Sequence, residues 1–207
     1  MRQDAPAFHR NKQPMLNVLQ SVLPTKALNV IEIASGTGQH GPFFTSHIEN
    51  LTWWPTDISS DAIASINAWR EHLQELSIQP AQFLDVTDQQ WMTGQPIKGL
   101  PNQVDAILSM NMIHIAPYAA TKGLLAGAGN RLATNGLLIL YGPFKQQDVA
   151  FAPSNQSFDE SLKSRNPQWG IRQLEDIQQL ALEHKLILKQ VFKLPANNLA
   201  VVFKKTT

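Results

Sequence analysis

Residues Asn29-Val30-Ile31-Glu32-Ile33-Ala34 make a compact, largely β-branched run that closes on Ser35-Gly36-Thr37-Gly38. Such a run marks a strand buried on both faces, and the glycines that end it mark a tight turn into a helix. The pattern recurs along the chain. Leu51 to Ile58 reads as a second strand ending at Asp57, followed after Ser59-Ser60 by a helix carrying Ala62, Ile63, Ile66, Trp69 and Leu73. Ala81 to Val86 gives a third strand, residues 94–101 a Pro- and Gly-containing connection, and Val104 to Met110 a fourth strand. Pro117 opens a helix with Leu124, Leu125 and Leu132 on its core face, which Asn135-Gly136 ends before a fifth strand, Leu137 to Tyr141. Strands alternating with helices predict an α/β fold: a mostly parallel sheet covered on both faces, with its ligand site outside the carboxyl ends of the strands.

The flanking segments read differently. Arg10 to Pro14 is a polar lead-in to a short amphipathic helix with Met15, Leu16, Leu19, Val22 and Leu23 on one side, stopped by Pro24, so residues 1–24 form an arm or lid. Residues 142–170 are polar and irregular, Ile171 to Leu186 looks helical, and 188–193 and 199–205 pair as strands around Pro195-Ala196-Asn197-Asn198. No repeat, low-complexity tract or linker divides the 207 residues, which predicts one domain. Seventeen Lys and Arg against sixteen Asp and Glu leave a charge of +1, too weak a field to hold nucleic acid or an acidic membrane. The absence of cysteine excludes disulfides, thiolate metal sites and cysteine nucleophiles. The first ten residues lack the apolar core of a signal peptide, and no run approaches the ~18 apolar residues of a membrane span, so a cytoplasmic location is the expectation.

Chemistry concentrates at the strand ends. Gly36, Gly38 and Gly41 spell G-x-G-x-x-G, and Asp57 follows about 20 residues beyond Gly38, the spacing at which an acid meets the hydroxyls of a ribose. Glu32 within the turn suits a cationic ligand end and would repel a pyrophosphate, and Asp85 places a third carboxylate at the next strand end. Three acids at successive strand ends favour a positively charged ligand that carries adenosine, and S-adenosylmethionine is such a ligand. Each residue also has a plainer reading. Asp57 could cap the following helix, Asp85 could brace a turn with Thr87, and the Arg10-Asn11 pair could be a frayed terminus rather than a lid over a carboxylate. His9, His47, His72 and His184 have no neighbours that suggest chemistry, and Trp53, Trp54 and Trp69 read as packing residues.

With these features in place, the chain resembles the class I S-adenosylmethionine-dependent methyltransferases. More narrowly, Arg10-Asn11-Lys12, Ala34-Ser35-Gly36-Thr37-Gly38-Gln39-His40, Asn111-Met112-Ile113-His114, Tyr141-Gly142-Pro143, Arg165-Asn166-Pro167-Gln168-Trp169-Gly170 and Pro195-Ala196-Asn197-Asn198 resemble the family that includes methyltransferase-like protein 26, domain of unknown function 938. The resemblance implies a Rossmann-like, mostly parallel seven-stranded sheet with a C-terminal antiparallel hairpin strand. It also implies S-adenosyl-L-methionine as cofactor, held by Arg10, Asn11, Glu32, Ala34, Gly36, Gly38, Asp57, Ile58, Asp85, Val86 and Asn111. Ala34-Ser35 stands where the superfamily often has glycine, which leaves less room beside the methionine tail. Methyl transfer needs alignment of donor and acceptor and at most one proton removed, with no metal. His114 and Tyr141 are the groups placed to take or orient that proton, although a histidine between Ile113 and Ile115 is more often a core residue than a base. Arg165, Asn166 and Trp169 would grip a small-molecule acceptor or brace a loop.

Two other functions fit parts of the chain. Tyr118 to Lys122 is a literal Y-x-x-x-K, the proton-transfer pair of short-chain dehydrogenases, but it falls too early in the strand order and lacks the Asn-Asn-Ala-Gly turn. A non-catalytic protein using the same fold to bind a partner would leave no signature in the sequence. Neither an Asn-Pro-Pro-Tyr motif nor a basic stripe favours a nucleic-acid acceptor.

Overall fold

A computed structural model describes residues 1–74 and 77–207. In chain order the elements are α1 (Pro6–Val22), β1 (Leu28–Ile33), α2 (His40–Thr45), β2 (Leu51–Asp57), α3 (Ser60–Leu73), β3 (Gln82–Phe83), α4 (Gln89–Met92) and β4 (Val104–Met110). There follow α5 (Tyr118–Arg131), β5 (Leu132–Gly142), β6 (Phe144–Lys145), α6 (Pro153–Arg165), β7 (Arg172–Gln173), α7 (Leu174–Glu183), β8 (Leu186–Leu194) and β9 (Asn198–Lys205). Seven strands form one sheet in the order β3-β2-β1-β4-β5-β9-β8. Pairing is parallel from β3 through β5, and β9 runs antiparallel between β5 and β8.

The central strands are buried on both faces, as the unbroken apolar runs require. Ile31, Ile33, Ile107 and Leu138 face a core shared with α5 and α7, while Val30, Leu108 and Ile139 face a second core closed by Met15, Leu16 and Leu19 of α1. Strand order reverses between β1 and β4, each the start of an outward progression across the sheet. The crevice at this reversal is where an open α/β sheet binds its ligand.

Several expected boundaries differ. The first helix starts at Pro6, not near Met15, and absorbs Arg10 to Pro14, because Phe8 and Asn11 are buried and Pro6 sits in the first turn, where a missing N–H costs nothing. Asn135-Gly136 does not end α5, which stops at Arg131. It lies inside β5, where Asn135 takes φ 68° and the pairing with β4 shifts register between Val104 and Ala106. The last helix is shorter than 171–186, since Arg172-Gln173 pairs with β6 and Leu186 opens β8. The third strand is only two residues long, and α4 was not expected at all; it seats the fully buried Trp91, whose indole donates to the Gly123 carbonyl. The segment 142–170 is not irregular throughout, because it contains α6. The buried face of that helix is Asn155, Asp159 and Leu162, an i, i+4, i+7 stripe that is mostly polar and so gives no hydrophobic period.

Candidate functional site

The turn after β1 is stitched to β2. Ser35 N–H donates to the Thr56 carbonyl at 2.9 Å, and the Thr56 hydroxyl donates to the Glu32 carbonyl at 2.8 Å. Asp57 accepts the Gly36 N–H on one oxygen and the Ser59 N–H on the other, both at 2.9 Å. The cap of α3 is Ser59, whose hydroxyl oxygen accepts from Ala62 N–H, so the carboxylate of Asp57 ties the glycine turn to the capping residue instead of capping the helix itself. The two glycines of the turn do different jobs. A Cβ on Gly38 would lie 2.7 Å from the Cα of Ile66, so Gly38 lets α3 pack against the turn. Gly36, at φ +57°, has nothing within 4 Å of that position and faces open space.

Two cavities open along the strand ends. One is an apolar slot of about 270 Å³ bordered by Ala34, Ile58, Asp85, Val86, Met112 and Ala120. Ile58 stands at its rim 64% exposed, an unusual position for so large an apolar side chain. Asp85 accepts from both the N–H and the hydroxyl of Thr87, forming a turn at the slot's edge. The other cavity, about 760 Å³, is bordered by Arg10, Asn11, Asn111, His114, Tyr141 and Arg165, with α6 and the β8–β9 turn closing it. Consecutive residues, Asn111 and Met112, line one cavity each.

Six of the expected residues thus share the larger cavity although they come from α1, the β4 and β5 ends and α6. Asn111 takes φ 62° and its N–H donates to the Tyr141 carbonyl at 2.8 Å, which holds the β4 and β5 ends together. His114 is only 2% exposed and its Nδ1 has no partner among the described residues. Burial, together with the charge of Arg172, pushes its pKa down to about 4, so the ring is neutral at pH 7. Burial raises the Tyr141 hydroxyl above its usual range, opposed by the charge of Arg10 and by Asn198. Gly142 makes room for this group: a Cβ there would lie 3.1 Å from His114 Nδ1 and 3.5 Å from Asn111 Oδ1.

Other expected residues lie elsewhere. Glu32 is buried beneath the turn and borders neither cavity; Trp53 Nε1 donates to it at 3.1 Å and His40 Nδ1 lies 3.9 Å away. Desolvation pushes its pKa up to about 7, with Asp57 adding to the rise and hydrogen bonds from Ser35 and Trp53 opposing it. Asn166 and Trp169 are also outside both linings. Asn166 Oδ1 accepts the Gln168 N–H, and Trp169 lies under the Arg165 guanidinium at 5.6 Å, so this pair shapes the turn that carries Arg165.

The residues that tie α1 down were less visible in the sequence. Asn11 Oδ1 is 2.8 Å from His40 Nε2, and Gln39 accepts from Ala5 N–H and donates to Asp4. Their only signal was position, next to the glycine turn. Asn155, Phe158 and Asn198 complete the wall of the larger cavity. The Tyr118–Lys122 pair lacks dehydrogenase geometry. Lys122 Nζ lies over the ring at 5.7 Å, and the hydroxyl is raised by burial and by Asp176 instead of being lowered by the lysine. Among the described residues no group of three or more His, Asp or Glu could hold a metal, and no helix is long and apolar enough to cross a membrane.

Solved structures with this architecture include human N-acetylserotonin methyltransferase in complex with S-adenosylmethionine, with a TM-score of 0.75 and 14% identity over 97% of this chain and 53% of that one. An O-methyltransferase family protein from Burkholderia thailandensis superposes with a TM-score of 0.73 at 15% identity, over 97% and 58% of the two chains. Magnesium protoporphyrin IX methyltransferase from Synechocystis with bound S-adenosylhomocysteine gives 0.69 at 12%, over 97% and 84%. The chain spans about half the length of the first two. Sheet order, the antiparallel β9 and the glycine turn define the class, a Rossmann-like methyltransferase fold of the class I type. Within it the chain belongs to the family described as protein of unknown function DUF938, whose model matches residues 2–205.

Proposed function

We propose that this protein is an S-adenosylmethionine-dependent methyltransferase acting on a small-molecule acceptor. The observation that carries the reading is that the consecutive residues Asn111 and Met112 each border one of two cavities, an apolar slot and a larger chamber that carries Arg10, His114, Tyr141 and Arg165. The residues present fit the cofactor. The slot, with Ile58 at its rim, suits a flat adenine, and Asp57 retains free lone pairs for ribose hydroxyls after accepting two backbone N–H groups. Gly36 leaves the backbone of the turn accessible. Arg10 makes no ion pair among the described residues and can meet the methionine carboxylate, with Asn11 and Tyr141 beside it. Glu32 supports the turn from beneath.

The cofactor supplies a methyl carbon already activated by its sulfonium. What remains for the protein is to hold the acceptor in line, exclude water and handle one proton. Neutral His114 can accept a hydrogen bond from the acceptor's O–H or N–H and orient its lone pair. The test is calorimetry with S-adenosylmethionine and S-adenosylhomocysteine, followed by turnover against an acceptor library. Tighter binding of a nicotinamide dinucleotide than of either ligand would refute the reading, and cofactor binding without turnover of any acceptor would favour a partner-binding role.

A further inference from the structure

Resting on that reading, we propose that the acceptor is a small planar organic acid that presents an O–H or N–H to His114 and Asn111 and its carboxylate to Arg165. The charge of the larger cavity is one-sided. Two arginines, Arg10 and Arg165, border it, and among the described residues no Asp or Glu side chain does. Arg165 lies over the Trp169 ring and donates to the Ser161 carbonyl, contacts that fix the guanidinium without neutralising it. The acid of α6 that faces inward, Asp159, is already engaged by Lys145, Lys163 and the Ile171 N–H. With Arg10 assigned to the cofactor, Arg165 is the cation left over. A sulfonium bound next door would add a further positive charge, so an ammonium-bearing acceptor is disfavoured and an anionic one favoured.

The shape and polarity of the walls specify the rest. Phe158 is 38% exposed in the cavity wall and meets the His114 ring edge-on at 5.8 Å, offering an aromatic face to a flat acceptor. His114 Nδ1, buried and without a partner among the described residues, and Asn111 Oδ1 border the same space, the one left by the missing side chain of Gly142. Both atoms can accept, so together they select a nucleophile that still carries its proton. The step then balances with no other reagent. The acceptor's oxygen or nitrogen forms a bond to the methyl carbon, the carbon–sulfur bond breaks with its electron pair kept by sulfur, and the acceptor's proton leaves through His114 to solvent.

The test uses full-length protein saturated with S-adenosylhomocysteine and titrated with 4-hydroxybenzoate, 4-hydroxyphenylacetate and 3,4-dihydroxybenzoate, against tyramine and dopamine. The acids should bind at least tenfold tighter than the amines. Arg165→Gln should erase that preference while S-adenosylhomocysteine affinity stays within twofold, and Arg165→Lys should restore part of it. Equal or tighter binding of the amines, no binding of any acid, or a preference that survives Arg165→Gln overturns the proposal. Failure of S-adenosylhomocysteine to bind at all defeats the cofactor reading itself and is seen before any acid is added.

Discussion

Replacing the two glycines of the β1 turn one at a time separates a packing role from a ligand role. An alanine Cβ at Gly38 would sit 2.7 Å from Ile66 Cα and 2.8 Å from its Cγ1, where ordinary contact begins at 3.4 Å, so α3 would have to retreat or the turn distort. Overpacking of this kind costs about 1–3 kcal/mol, and holding a side chain at φ +82° about 1–2 kcal/mol more. For a chain of this length a loss of ~2–5 kcal/mol lowers the melting temperature by roughly 4–20 °C. Gly36→Ala meets no atom within 4 Å and incurs only the conformational cost, at a φ of +57° that Ala34 already adopts, so its loss should be about 2–8 °C. On the proposed reading the new methyl at Gly36 points to the ligand and should weaken S-adenosylhomocysteine at least tenfold. Differential scanning calorimetry and titration calorimetry on both variants check this. A Gly38→Ala protein melting within 2 °C of the wild type refutes the packing argument. A Gly36→Ala protein of undiminished affinity refutes the assignment of the open side to ligand.

Ile58→Asp should leave the melting temperature within a few degrees, because the side chain is 64% exposed, yet weaken S-adenosylhomocysteine about 5–30-fold through the loss of ~1–2 kcal/mol of apolar contact; unchanged affinity would remove Ile58 from the slot. Asp57→Ala should lower both stability and affinity, the first because Gly36 and Ser59 N–H lose their acceptor and the second about ten- to a hundred-fold; a stability loss alone would leave Asp57 a purely structural brace. Glu32→Gln should change how stability varies with pH. Glu32 is raised from 4.5 to about 7 on folding, so its contribution is full below pH 4.5 and is lost as pH rises to 7. His40 and His114, lowered from 6.5 to about 4, act oppositely: they withdraw stability as pH falls from 6.5 towards 4. The glutamine variant should therefore gain on the wild type by about 3 kcal/mol between pH 4.5 and 7 and not beyond. Urea unfolding at pH 4.5, 6, 7 and 8 tests this, and a constant difference would contradict it.

The parts of the fold that could be read from the residues are those whose burial is set by neighbours close in sequence. β1, β2 and β4 are apolar runs because both faces of each strand are covered, and the turn that follows β1 needs positive φ at fixed positions, so both leave local marks. α6 left none, since its inward face is Asn155 and Asp159, residues that are stable there only because Lys145, Lys163, Ile171 and Asn197 bond to them from elsewhere. Asn135-Gly136 misled for a related reason: the same dipeptide suits a helix end or a break in strand register, and only pairing with β4 selects the second. The site divides along the same line. Ala34, Gly36, Asp57, Ile58 and Asp85 follow consecutive strand ends and were legible as a candidate ligand surface, whereas the surroundings of Glu32 depend on Trp53 and His40 closing over it. Nor does any window of sequence contain the chamber made by Arg10, His114, Tyr141 and Arg165. Its one-sided charge exists only because α1 and α6, far apart in the chain, bring arginines to the same wall while Asp159 is drawn to the lysines behind it. On the proposed reading, acceptor chemistry is thus decided by α6, whose inward face carries no hydrophobic period, and substitution of Arg165 at its end should change what is methylated before it changes whether the cofactor binds.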